Sequence, residues 1–252
     1  MTCVIPYFFL YFSGLWIDKI FIFYFKSAKT TIFFYKYYYL GVSKEFRRRI
    51  GVFGGTFDPP HIGHTSAALS AMRKLELDSV LMVVANDPWQ KTDQNLDLPD
   101  FAISAVSTPE DRFEMLKRAL DEHEGLMADD MEIVRGGRTY TIDTVSELND
   151  RFPESEFFLL IGSDVAKDFD SWREPQEICR RVNVVVLTRP GTDRSEVEED
   201  WNFSFLDVPA VDVSAKEIRL RVSNGESLEG MVPRSVEEYI LTAGLYRDET
   251  DE

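Results

Sequence analysis

Cysteine is almost missing from this 252-residue chain: it has two, Cys3 and Cys179. They lie far apart and match no metal or redox spacing, which excludes a disulfide-stapled scaffold and a cysteine-built zinc site. Histidine is nearly as scarce, with three residues, His61, His64 and His123. Positive charge is in deficit too: 28 Lys and Arg against 44 Asp and Glu give a formal charge of −16. That balance excludes general binding to nucleic acid or to an anionic membrane, because a footprint on phosphate needs a basic face. An anionic substrate would have to be held by a few placed cations and backbone N–H groups. Beyond residue 49 there is no internal repeat and no low-complexity tract.

What is present is a hydrophobic fraction of 44%, ordinary for a folded protein. The length suits one sizeable α/β domain or two small ones. The composition breaks near residue 49. The first 49 residues hold 17 of the 33 aromatic residues and eight Lys or Arg against two Asp or Glu. The remaining 203 carry 20 basic and 42 acidic side chains, a net of −22. Residues 4–25 are long enough to span a bilayer, which takes about 20 residues, but Pro6, Gly14 and Asp18-Lys19 interrupt them. A signal peptide fits poorly, with no basic n-region and no small-residue cleavage site. Phe, Tyr, Ile and Lys are also what AT-rich DNA encodes, so an upstream start codon read through non-coding sequence would give the same break. A non-native start, a membrane-associated leader and a disordered leader therefore stay open. Residues 1–48 are set aside as an atypical leader, 49–247 are taken as the domain and 248–252 as an acidic tail. The expected location is cytoplasmic, with no membrane role for residues 49–252.

From residue 49 strands and helices alternate. Apolar runs predict strands at 50–54, 79–85, 157–161 and 182–187; helical spacing predicts helices at 62–75, 108–120, 141–152, 215–222 and 233–243. Ser214 is placed to cap one helix and Gly244 to close the last. This alternation predicts an α/β fold, a doubly wound, mostly parallel sheet of Rossmann-like type, with helices on both faces. Such sheets bind ligands at the carboxyl ends of their strands. The segments Gly54-Gly55, Asn86-Asp87-Pro88, Gly162-Ser163-Asp164 and Thr188-Arg189-Pro190-Gly191 all follow strands.

The first of these loops reads Gly54-Gly55-Thr56-Phe57-Asp58-Pro59-Pro60-His61-Ile62-Gly63-His64. Paired glycines let backbone N–H groups approach a phosphate, and the next helix directs its positive end to the same place. His61 and His64, three apart, can both face a ligand there. Metal binding would need ligands beyond these two and Asp58, so no metal site is expected. A structural role, with both rings capping backbone groups, is the plainer alternative. Phosphate handling suits the loop best.

This loop resembles the signature of the HxGH nucleotidyltransferases. Later segments make residues 49–247 similar to the bacterial nicotinate-nucleotide adenylyltransferases in particular: Pro88-Trp89-Gln90-Lys91, Glu110-Asp111-Arg112, residues 135–144, Ile161-Gly162-Ser163-Asp164, Trp172 and Gly244-Leu245-Tyr246. The resemblance implies adenylyl transfer from ATP to nicotinate mononucleotide, giving deamido-NAD and pyrophosphate in NAD biosynthesis, with a sister adenylyl- or cytidylyltransferase (nicotinamide mononucleotide or phosphopantetheine as acceptor), or a non-catalytic nucleotide-binding module, as alternatives. It implies that His61 and His64 contact the ATP phosphates and that Gly54, Gly55, Thr56, Phe57, Gly63, Gly162, Asp164, Ser214, Lys216 and Arg219 complete the ATP site. Lys91 would meet the mononucleotide phosphate, and Thr141 and Trp172 would frame the pyridine ring. Mg²⁺ would be held mainly through the triphosphate, and a homo-oligomer is allowed. Arg112 and Arg135 read as ion-pair residues on a helix or loop. In one place the pattern departs: where the family carries Ile-Ser-Ser-Thr-x-Ile-Arg, this chain has Val213-Ser214-Ala215-Lys216-Glu217-Ile218-Arg219. Two hydroxyls are lost and a cation is gained.

Overall fold

The computed structural model describes residues 47–87, 107–191 and 201–247, together with the backbone of 16–17, 20–27 and 30–35. Two compact units divide the chain, Met1–Phe46 and Arg47–Glu252. In the first, β1 (Trp16–Ile17), β2 (Ile20–Ser27) and β3 (Thr30–Tyr35) form an antiparallel sheet in the order β1-β2-β3. No helix among the described residues is long and apolar enough to cross a membrane.

The second unit is built on six strands: β4 (Arg49–Gly55), β5 (Ser79–Val84), β6 (Leu126–Asp129), β7 (Glu156–Gly162), β8 (Asn183–Thr188) and β9 (Ser204–Asp207). All five pairings are parallel, in the order β6-β5-β4-β7-β8-β9. Counted from the first strand of the unit, this is the 3-2-1-4-5-6 order of the Rossmann fold. The central strands read as continuous apolar runs because both faces of a parallel sheet are covered. Alternate residues serve opposite layers. Phe157, Leu159 and Ile161 of β7 join one core with Val184 and Val186 of β8. Phe158, Leu160, Val185 and Leu187 join the other.

The first core is covered by α3 (Met131–Arg135), α4 (Thr141–Arg151), α5 (Ser163–Ala166) and α6 (Pro175–Arg181). A 3-10 turn, Phe169–Ser171, sits between α5 and α6 and buries Phe169. The second core is covered by α1 (Ile62–Lys74) and α2 (Pro109–Leu120). The far side of α2 presents Met115 and Ala119 to a third cluster built from α7 (Ala215–Ser223), α8 (Arg234–Ala243) and the turn between them. Thr108 caps α2, accepting from the Asp111 N–H, with Pro109 at a first-turn position where its missing N–H costs nothing. Ser214 caps α7, its Oγ accepting from the Glu217 N–H at 3.1 Å. The doubly wound parallel sheet expected from the alternation is therefore what the chain forms. The pattern missed β6, β9, α3, α5 and α6, each seven residues or shorter.

Candidate active site

β4 pairs with β5 on one side and β7 on the other, so the chain leaves the sheet in opposite directions around it. A crevice opens at the carboxyl ends of these strands, as expected at a topological switch point. It is an open cleft of about 1240 Å³. Every described residue of the expected site lines it: Gly54, Gly55, Thr56, Phe57, His61, Gly63, His64, Thr141, Gly162, Asp164, Trp172, Ser214, Lys216 and Arg219. Lys91 lies outside the described residues.

The loop after β4 owes its shape to two glycines. Phe57 sits at φ 52° and is buried, and its ring passes so close to Gly55 that a Cβ there would lie 2.7 Å from the ring. At Gly63 a Cβ would stand 3.0 Å from the His61 ring. Side chains at either position would displace the aromatic group they shelter. Phe57 in turn meets His64 edge-on at 5.1 Å between centroids.

His61 caps α1 and is 8% exposed. Its backbone N–H donates to His64 Nδ1 at 3.2 Å, and the two rings lie 3.8 Å apart between centroids. Burial, followed by the field of Arg189, pushes the His61 pKa down to about 4. The start of α1 is partly closed from within, since the Ile62 N–H donates to the Met231 carbonyl at 3.0 Å and the His64 N–H to the His61 carbonyl at 2.9 Å. Less of the helix end is left for an anion than the sequence suggested.

Asp58 is engaged through both its side chain and its backbone. Its Oδ1 accepts from the Tyr246 hydroxyl at 2.6 Å and from the Ser107 N–H at 3.3 Å, and its carbonyl accepts from Arg219 at 2.7 Å. Burial and the neighbouring Asp58 charge hold the Tyr246 phenol far above its usual range. Tyr246 thus fastens the loop after β4 through the Asp58 carboxylate, while the Asp58 backbone carbonyl holds the Arg219 guanidinium.

Arg112 corrects a reading made from sequence. Far from an exposed ion-pair residue, it is 1% exposed. Its guanidinium donates to the carbonyls of Ser107 (3.1 Å), Thr56 (2.9 Å), Ala85 (2.6 Å) and Asn86 (3.0 Å). Five N–H donors in a planar fork suit that task, which a lysine could not perform. Burial lowers the Arg112 pKa, and Asp58 opposes the shift. Arg135 does behave as an ion-pair residue, facing Glu132 at 3.9 Å and Glu147 at 3.8 Å and donating to Thr144 Oγ1 at 2.9 Å. Glu132, which the sequence did not single out, borders the cleft; burial raises its pKa, while the Thr144 hydroxyl and Arg135 work the other way.

Trp172 follows the 3-10 turn, its ring tilted 38° against Phe169 at 4.9 Å between centroids and only partly buried, so it belongs to both the core edge and the cleft wall. Asp164 is exposed at the second position of α5, whose cap is Gly162, and is not a capping residue. Lys216 is exposed on the first turn of α7 and lines the cleft. Arg189, just beyond β8, also lines it. Its position after a strand was the available signal, yet the sequence reading gave it no role.

Residues 52–221 match the family described as cytidylyltransferase-like. Over 209 residues the chain is 35% identical to a probable nicotinate-nucleotide adenylyltransferase of Desulfitobacterium hafniense (strain Y51), covering 79% of this chain and 96% of that protein. A protein of the same name from Shouchella clausii (strain KSM-K16) is 35% identical over 204 residues, covering 81% and 100%. The chain belongs to the nicotinate-nucleotide adenylyltransferase family. The fold agrees: Plasmodium falciparum nicotinic acid mononucleotide adenylyltransferase complexed with APC superposes with a TM-score of 0.62 at 16% identity, over 79% of this chain and 98% of that one. The same enzyme complexed with NaAD gives 0.62 at 17% identity.

Proposed function

We propose that this chain transfers the adenylyl group of ATP to nicotinate mononucleotide, giving deamido-NAD and pyrophosphate in NAD biosynthesis. The observation that carries the reading is similarity to the family over 79% and 81% of this chain and 96% and 100% of the two relatives, together with one cleft lined by every described residue of the expected site. In the reaction a 5′-phosphate oxygen of the mononucleotide attacks the α-phosphorus of ATP. The new P–O bond forms as the bond to the β-phosphate oxygen breaks, and the electron pair leaves with pyrophosphate. A phosphate nucleophile is already ionised at neutral pH, so no general base is needed. Catalysis rests on alignment and on placing donors where charge develops.

His61 and His64 stand beside the α-phosphate in this reading. Arg219, Lys216, Arg189 and the start of α7 face the β- and γ-phosphates, where a helix N-terminus favours anions. Asp164 accepts from a ribose hydroxyl, and Trp172 and Thr141 frame the pyridine ring opposite. Lys91 meets the mononucleotide phosphate. Among the described residues no cluster of three or more His, Cys, Asp or Glu could hold a metal. In this reading Mg²⁺ would enter as part of the ATP complex, held by triphosphate oxygens and water, in keeping with its reluctance to dehydrate. A reducing, cytoplasmic setting suits the chain, whose Cys179 thiol has its pKa raised by burial.

The test is pyrophosphate release with ATP and three acceptors in parallel: nicotinate mononucleotide, nicotinamide mononucleotide and phosphopantetheine. Turnover is expected with nicotinate mononucleotide above both others. Turnover on phosphopantetheine alone would overturn the reading.

A further inference from the structure

The geometry of the two cleft histidines fixes their charge as well as their place. His64 Nδ1 accepts a hydrogen bond from the His61 backbone N–H at 3.2 Å. A ring nitrogen that accepts carries no proton, so the proton of His64 sits on Nε2. The His61 ring lies against the His64 backbone N–H as the other half of this reciprocal cap, without a completed hydrogen bond of its own. Its Nδ1 is buried and has no partner among the described residues.

An imidazolium donates from both nitrogens. Charging His64 would set its new N–H against the N–H of His61. Charging His61 would bury an N–H with nothing to accept it, at the full desolvation cost of that group. The rings overlap at 3.8 Å between centroids, where two like charges would repel. The charged groups around the pair add to this. Arg189 beyond β8 and Lys216 and Arg219 on α7 are cations lining the same cleft. Of the carboxylates, Asp58 on the shared loop is engaged by Tyr246 and Ser107, and Asp164 on α5 is exposed. Burial and Arg189 hold His61 neutral well below pH 7.

Resting on the adenylyl-transfer reading, we propose that His61 and His64 work as neutral imidazoles. Each offers an Nε2–H to phosphate oxygens, while Arg189, Lys216 and Arg219 supply the compensating charge. The histidines then neither give nor take a proton during transfer. They act as dipoles oriented before the reaction, which need not reorganise as charge moves to the leaving pyrophosphate.

Long-range ¹⁵N–¹H NMR on the full chain reads this directly, because only three histidines must be distinguished. Single His→Gln variants assign the signals. Spectra from pH 5 to 8, without ligand and with a non-hydrolysable ATP analogue and Mg²⁺, are expected to show His61 and His64 protonated at Nε2 alone throughout. A doubly protonated ring at pH 7 in either residue, or an Nδ1–H tautomer of His64, would overturn the proposal. The ligand-free spectra do not depend on turnover, so failure of the acceptor assay and failure of this proposal are separate results. A second measurement uses the neutral N–H donor of glutamine. His64→Gln is expected to keep on the order of tenfold more kcat than His64→Ala, and His64→Arg no more than His64→Ala. An arginine variant that outperforms the glutamine variant would contradict the proposal.

Discussion

At the scale of single residues, the loop after β4 depends on buried groups that hold its backbone in place. Arg112 is the clearest. It ties together carbonyls from the phosphate loop, the end of β5 and Ser107, which begins the segment leading into α2. Arg112→Met keeps much of the apolar volume but leaves those carbonyls without a partner. A loss of about 3 kcal/mol is expected, since each unsatisfied buried group costs about 1–3 kcal/mol. Urea unfolding checks it, and an unchanged midpoint would show that water replaces the guanidinium. Nothing in the sequence marked Arg112 as buried. An arginine on an amphipathic helix usually faces solvent, and only the fold brings four carbonyls to its fork. His61 makes a second prediction. Its pKa of about 4 in the folded chain lies below the ordinary value of 6.5, so the unfolded chain binds the proton more readily. The associated stability is full above pH 6.5 and is lost as pH falls toward 4, by up to about 3 kcal/mol at 1.36 kcal/mol per pKa unit. His61→Gln should flatten that part of a stability–pH curve measured by thermal or urea unfolding. An identical slope in both proteins would contradict the assignment.

At the scale of elements, legibility followed length and burial. The long central strands and the helices α1, α2, α4, α7 and α8 were read from period and punctuation, and the cap at Ser214 was placed correctly. β6 and β9, four residues each, were not. Strands that short hold too few residues to express a period, and their place at the sheet edges leaves part of them exposed. Their parallel pairing depends on partners distant in sequence. The glycines and histidines of the loop were legible because that chemistry is local. Asp58 bound to Tyr246, 188 residues away, was not. α7 carries Ala215 and Lys216 at its start, and two effects separate there. Ser214→Ala removes the cap and should cost about 1 kcal/mol of stability. Lys216→Met leaves the cap intact and should raise the KM for ATP several-fold with little change in unfolding midpoint. If Lys216→Met leaves that KM unchanged, the lysine is not replacing the missing hydroxyls.

At the scale of the whole molecule, a chain of formal charge −16 is proposed to handle two anionic substrates. The resolution lies in where the few cations stand. Arg189, Lys216 and Arg219 converge on one cleft at the switch point of the sheet, while acidic residues outnumber basic ones over residues 50–252 as a whole. Local donors in a cleft outweigh an unfavourable net charge because screening over about 8 Å at physiological ionic strength removes most of the distant repulsion. That placement comes from strand order, which only the assembled sheet reveals. The central claim is that the loop from Gly54 to His64 performs the transfer and does not merely bind a nucleotide. It is tested most directly by steady-state turnover of ATP and nicotinate mononucleotide in the parent and in His64→Ala, alongside ATP affinity and the unfolding midpoint of each. The account predicts kcat lower by on the order of 10²–10³, with folding preserved and ATP still bound. Equal turnover in the two proteins, or ATP binding without pyrophosphate release in the parent, would contradict it.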